Sequence, residues 1–228
     1  YIRDIANLLI KDCKNTTINY NPEFIAQGEI VKGFRNPDII LIGTNDKTLG
    51  YKLKEIYKNI AQTDPKYCIL KPIEAEMVKI SINGFITTKL SFANMLSDVC
   101  DIIGADKSVV LKSVGGDSRI GNKYFNPGYS FGGPCFPRDT KALKQIIDSV
   151  NINSDLLDAT TKYNEEHSLF QTNQLLEEGK EEYIIEDICY KENSKIPIIE
   201  ESAKLKIAKN LVKAGKKVII KDESHMID

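Results

Sequence analysis

The stretch Phe131-Gly132-Gly133-Pro134-Cys135-Phe136-Pro137-Arg138-Asp139 gathers a thiol, a guanidinium and a carboxylate into little more than one helical turn. The two glycines let the backbone take positive φ and pass close to a ligand. Pro134 and Pro137 favour a fixed loop over a strand or a helix interior. Asp139, followed by Thr140-Lys141-Ala142-Leu143, predicts a helix that begins there with Asp139 as its cap. A cysteine just before a helix N-terminus, with an arginine beside it, is the pattern of an activated nucleophile. The alternative is a buried free cysteine at a glycine-rich turn. Lys79 and Asn83 form a second polar pair. Four residues apart in a helical stretch, they project from one face, which a solvated helix surface would also explain.

The elements that must position these groups follow from periodicity. Apolar residues at Ile2, Ile5, Leu8, Leu9 and Cys13 have helical spacing. Ile18 to Phe24 reads as a short strand ending in a loop, with Pro22 holding Asn21 extended. Phe34-Arg35-Asn36-Pro37-Asp38 is a turn, and Ile39-Ile40-Leu41-Ile42, closed by Gly43, is a strand buried on both faces. Residues 49–62 read as a helix, and Tyr67-Cys68-Ile69-Leu70 as a strand. A long helix is predicted from Ile73 to about Ile103, a short one from Ala105-Asp106-Lys107 to Val114, a loop over residues 115–121, and a helical stretch from Thr140 to Phe170. Residues 177–182 read as a charged turn. Tyr183-Ile184-Ile185, a helix over Ala203–Ala214 closed by Gly215, and Lys217-Val218-Ile219-Ile220 make a β–α–β unit. The fold class is therefore α/β. No GxGxxG occurs.

Composition narrows the class of function. The chain has 228 residues, a net charge of −1 and 42% hydrophobic residues, as a globular protein of one large or two small domains does. With 31 basic and 32 acidic residues, charge balance gives no argument for nucleic acid or a membrane. Five cysteines without a CxxC point to a reducing compartment, the cytoplasm, and not to a disulfide framework. With His167 and His225 as its only histidines, no structural metal site is expected. No signal peptide or membrane span is expected. The start at Tyr1, directly into a helical pattern, reads as part of a longer polypeptide.

Several separated motifs occur in one order. They are Asn21-Pro22-Glu23-Phe24 with Gly28, then Pro37-Asp38 with Ile42-Gly43, and Glu76-Met77-Val78-Lys79 with Asn83. Ser91-Phe92-Ala93-Asn94, Asp117-Ser118-Arg119-Ile120-Gly121 and the segment 131–139 follow. Together they resemble the UDP-glucose/GDP-mannose dehydrogenase family. The resemblance implies oxidation of a nucleotide-sugar primary alcohol to a carboxylate with NAD, UDP-glucose being favoured by the 117–121 motif. It implies the end of a Rossmann-like parallel sheet in residues 1–70 and a central helical dimerisation region with the cysteine loop in 72–168. Residues 183–228 would start a second, UDP-sugar-binding Rossmann-like unit. The family's glycine-rich loop would precede Tyr1.

Carried over residue by residue, Cys135 would attack the aldehyde intermediate, passing through a thiohemiacetal to a thioester. Glu23 would act through a water as the base of thioester hydrolysis. Lys79 and Asn83 would hold a developing oxyanion, and Asp139 would orient the water or accept a proton. Phe24, Arg119, Asn126, Tyr129, Ser130, Gly132 and Lys191 would contact the substrate, Arg119 across a dimer interface and residues 126–130 as a loop over the sugar nucleotide. Arg138 would contact a cofactor phosphate. The resemblance weakens towards the end. Tyr190-Lys191 matches the family's F-K, but Glu200-Glu201-Ser202 stands where the family has R-E-S, and a glutamate repels phosphate. Residues 192–199 lack the family's Asp and Gly pattern. A non-catalytic member that binds a nucleotide sugar or only dimerises is the alternative. A cysteine hydrolase would need a histidine partner for Cys135.

Overall fold

The computed structural model describes residues 2–24, 28–191 and 196–222, and of residues 2–4 only the backbone. Tyr1, His225 and residues 192–195 of the divergent segment lie outside it. The chain divides into two compact units, Tyr1–Lys79 and Ile80–Asp228.

In the first unit, α1 (Ile2–Ile10) and α2 (Ile30–Arg35) precede β1 (Ile39–Gly43), α3 (Lys47–Ile60), β2 (Lys66–Leu70) and the start of α4 (Pro72–Ile103). The strands pair in parallel, in register from Ile39 opposite Lys66 to Gly43 opposite Leu70. Ile40, Leu41 and Ile42 are buried, as a continuous apolar run in a parallel sheet requires. Asp46 caps α3, its Oδ1 accepting the Thr48 and Leu49 N–H groups at 2.8 and 3.2 Å. The strand expected over residues 18–24 shrinks to one antiparallel bridge between Tyr20 and Gly43. Pro22 has no N–H with which to extend a ladder. Asn21 is held instead by its side chain, which donates to the Leu41 carbonyl at 2.8 Å and accepts from the Tyr57 hydroxyl at 2.6 Å.

The second unit holds the rest of α4, then α5 (Lys107–Gly115), α6 (Phe136–Ser149), α7 (Asp155–Glu177), β3 (Glu182–Glu186), α8 (Ala203–Lys213) and β4 (Lys217–Lys221). β3 and β4 pair in parallel. Two apolar clusters anchor it. Ala93, Leu111 and Phe125 form one, and Tyr183, Ile207 and Leu211 form the other.

Of the boundaries that differ from those the sequence predicts, three have clear local causes. α6 starts at Phe136 and not at Asp139, because Pro137 in the first turn lacks an N–H that would be unbonded there anyway. Cys135 takes the N-cap position and Asp139 falls inside the helix. The helix expected over 140–170 is two helices. Asn151 sits at φ 59°, Asn153 Oδ1 accepts the Asp155 N–H at 2.8 Å, and the Ser154 hydroxyl donates to Asp148 at 2.6 Å. These short polar side chains compete with the helical ladder and stop it. The charged stretch 177–182 is a helix end, a turn through Gly179 at φ 69° and the first strand residue. Among the described residues, no helix is long and apolar enough to cross a membrane.

Leu111 is fully buried between α4 and Phe125. Leu111→Ala is expected to cost about 2–5 kcal/mol, read as a lower urea midpoint at unchanged slope.

Candidate active site

The cysteine turn is built against two later segments of the same unit. The Gly133 N–H donates to the Glu200 carbonyl at 3.0 Å. A Cβ on Gly132 would collide with the Glu201 carbonyl. One on Gly133, which lies at φ 77°, would run into the Tyr190 ring. Both glycines are therefore required by contact, and Gly133 by its backbone angle as well. The turn delivers Cys135 to the start of α6 as an exposed free thiol, not as the buried residue of the alternative reading.

One turn into α6, Asp139 is buried and fully engaged. Asn83 Nδ2 donates to its Oδ2 at 2.6 Å and Arg138 Nε to its Oδ1 at 3.0 Å. The Asp139 hydrogen bond holds the exposed Arg138 guanidinium above its ordinary pKa, and the Asp139, Cys135 and Glu200 charges push the same way. Asn83 is itself buried, so it is not on a solvated helix face. It ties α4 to the first turn of α6. Thr87 and Thr140, joined by their hydroxyls at 2.9 Å, repeat the link one turn on.

Residues 128–131 lead into the glycines, and side chains hold four of their backbone groups. The Gly128 carbonyl accepts from His167 Nε2 at 2.9 Å and Gln171 Nε2 at 3.1 Å. Asn94 Nδ2 donates to the Tyr129 carbonyl at 3.1 Å. The Ser130 hydroxyl lies 2.6 Å from both the Asn164 carbonyl and the Ser168 hydroxyl. The Asn164 side chain accepts the Phe131 N–H at 2.7 Å and donates to the Phe131 carbonyl at 2.9 Å, as a neighbouring strand would. Leaving one such buried group unpaired would cost about 1–3 kcal/mol. Sequence reasoning missed Asn94, Asn164, His167 and Ser168. The signal was present in Thr160, Asn164, His167, Ser168, Gln171 and Thr172, a polar stripe at helical spacing.

The remaining predicted residues are placed as follows. In the first unit, the Lys79 ammonium donates to the Glu23 backbone carbonyl and lies 4.5 Å from the centre of the Phe24 ring, while the Glu23 side chain is exposed. In the second, Asn126 and Lys191 are exposed, and Ser130 and Gly132 are buried. Tyr129 is exposed, with Lys204 Nζ 5.6 Å above its ring. Arg119 forks onto Asp117 at 3.0 and 2.7 Å. Its hydrogen bonds hold the Asp117 carboxyl below the ordinary range. Among the described residues His167 is the one histidine, and it is committed to Asp98 and Gly128, not to Cys135; His225, the other histidine that a cysteine hydrolase could use, lies outside them. A cavity of about 510 Å³ lies beside Tyr129, Gln171, Glu186 and Lys204. Neither Cys135 nor Asp139 lines it.

Residues 73–166 match the central domain of the UDP-glucose/GDP-mannose dehydrogenase family, and residues 2–61 match its NAD binding domain. The UDP-glucose 6-dehydrogenase of Rickettsia bellii (strain RML369-C) is 34% identical over 218 residues, 93% of this chain and 50% of that protein. UDP-glucose 6-dehydrogenase YwqF of Bacillus subtilis (strain 168) is 38% identical over 148 residues, 63% of this chain and 32% of that protein. The structure of a UDP-glucose dehydrogenase from the hyperthermophilic archaeon Pyrobaculum islandicum aligns with a TM-score of 0.86 at 31% identity, over 98% of this chain and 52% of that one. The chain thus spans half or less of the length of these curated relatives.

Burial, and then the hydrogen bond to Asp98, push the Tyr163 phenol well above its ordinary value of 10.0. Its contribution to stability is therefore complete below that value and is lost as pH rises towards the higher folded one. In an ultraviolet titration, Tyr163→Phe should remove a phenol that ionises late. Loss of one that ionises near pH 10 would contradict the Asp98 contact.

Proposed function

The chain belongs to the UDP-glucose/GDP-mannose dehydrogenase family, and from that premise we propose that it carries the Cys135-bearing part of an NAD-dependent nucleotide-sugar 6-dehydrogenase. UDP-glucose is the substrate and UDP-glucuronate the product. The observation that carries the reading is the exposed Cys135 thiol at the start of α6. One turn on stands a buried carboxylate already bonded to Asn83 and Arg138.

Free N–H groups in the first turn of a helix favour negative charge, and Arg138 adds a cation. Cys135 adds to the aldehyde at the oxidised carbon, forming a C–S bond and a thiohemiacetal. Loss of its hydride leaves a thioester. Glu23, acting through water, takes a proton as hydroxide adds to the thioester carbonyl, and the C–S bond breaks to release the carboxylate and return the thiol. Lys79 and Asn83 stabilise the oxyanion at each addition. The buried Asp139 holds the Asn83 amide in place for this task.

NAD supplies the hydride acceptor for each of the two oxidations, so alcohol to carboxylate consumes two. The parallel β1–α3–β2 arrangement fits part of such a cofactor domain, with Gly43 and Thr44 at the carboxyl end of β1, where these sheets bind nucleotides. Arg138 would contact a cofactor phosphate. Phe24, Arg119, Asn126, Tyr129, Ser130, Gly132 and Lys191 receive the substrate. A second copy of the chain is the partner. Exposed Phe85, Phe92 and Val99 recur along α4 at the seven-residue spacing of a helix seam. The cytoplasm is the compartment that accords with the exposed thiol.

A non-catalytic reading draws on Glu200. Its charge lies close enough to act on Arg138, where a phosphate would be repelled. The full-length polypeptide, supplied with NAD and UDP-glucose, decides between them. Two NADH per sugar, abolished by Cys135→Ser, are expected. A folded protein that forms no NADH from UDP-glucose or any other nucleotide sugar would establish the non-catalytic reading.

A further inference from the structure

His167 is 2% exposed, and both of its ring nitrogens face oxygen acceptors. Nε2 lies 2.9 Å from the Gly128 carbonyl, and Nδ1 lies 2.9 Å from each oxygen of Asp98 on α4. Asp98 is buried and also accepts the Tyr163 hydroxyl at 2.6 Å. A buried histidine–carboxylate pair thus joins the Gly128 carbonyl to α4. Such a pair is a weak source of stability, since apolar residues of similar size commonly replace it without loss. What apolar residues could not supply is the donor to Gly128. The same holds for Asn164 on the stripe and for Asn94 on α4, which end on the backbone of Phe131 and Tyr129.

We propose that His167 is a positioning residue for the nucleotide-sugar substrate, joining the Gly128 carbonyl to Asp98 and so holding residues 128–130 in the shape that receives the ligand. The loop's role as a substrate cover rests on the function proposed above; the holding of the loop does not. His167 acts through the loop and touches no reacting atom. Cys135 is fixed by other partners, namely the Glu200 carbonyl, Tyr190 and the first turn of α6. Losing His167 therefore loosens the substrate's seat and leaves the nucleophile where it was.

The test uses the full-length protein as wild type, His167→Leu and His167→Gln, with two readouts. Hydrogen exchange of the amides in residues 128–131 reports on the loop whether or not the protein is active. NADH kinetics with UDP-glucose separate KM from kcat. His167→Leu should speed exchange in the loop and raise KM about tenfold or more. The value of kcat and the rate of Cys135 alkylation should not change. Gln, which keeps a donor for Gly128, should recover most of the loss. Unchanged exchange and KM would overturn the proposal, as would a fall in kcat at constant KM. If His167→Leu does not fold, Gln171→Leu removes the other donor to the same carbonyl and must shift KM and exchange the same way. A wild type that makes no NADH from any nucleotide sugar would defeat the substrate reading alone, and loop exchange would still decide whether His167 holds the loop.

Discussion

Gly132 and Gly133 sit where the chain has no room for a side chain. The Glu201 carbonyl and the Tyr190 ring occupy the space that their Cβ atoms would take, and the Gly133 N–H closes the contact on Glu200. That backbone-to-backbone seat fixes where α6 begins. The start of α6 fixes Cys135, and Asp139 one turn later fixes Asn83 on α4. The Cys135 thiol is thus held by close packing and hydrogen bonds to main chain, which move less than long side chains do. It also couples the cysteine turn to Tyr190 and to residues 200–201, so changes in those segments reach the thiol without touching it.

The loop before the glycines is held by a different device. α7 buries a stripe of polar residues where a core helix would ordinarily bury apolar ones. Burying an amide or hydroxyl is unfavourable unless it finds a partner. Here the partners include the Gly128 carbonyl and the N–H and C=O groups of the buried Phe131, the latter two both paired by Asn164. The two sets satisfy each other. The loop gains the rigidity of a strand without belonging to a sheet, and its conformation becomes a property of α7.

Much of this was legible in the sequence. The apolar run 39–42 gave a buried parallel strand because both of its faces must be covered, and the unbroken pattern from Ile73 gave α4. The motifs around Cys135, Lys79 and Asn83 carry the likeness to the family whose domains match residues 2–61 and 73–166. The failures have local causes. Asp139 looks like a cap, but Pro137 can enter the first turn, so the helix starts earlier and the carboxylate is free to bind Asn83. Asn151, Asn153 and Ser154 are each tolerable in a helix, and only together do they break it. The stripe on α7 escaped notice because polar residues at helical spacing ordinarily face water. Its partners are some thirty to forty residues away in sequence, and nothing local marks them.

The central claim is that Cys135 carries the substrate as an acyl group. The most direct test is to run Glu23→Gln, in which thioester hydrolysis should be slowed, with UDP-glucose and NAD. The mixture is then quenched in acid and its peptides weighed by mass spectrometry. The account predicts a sugar-nucleotide acyl adduct on the peptide containing Cys135, absent when Cys135→Ser is added. Turnover with Cys135 unmodified, or an adduct on another cysteine, would contradict it.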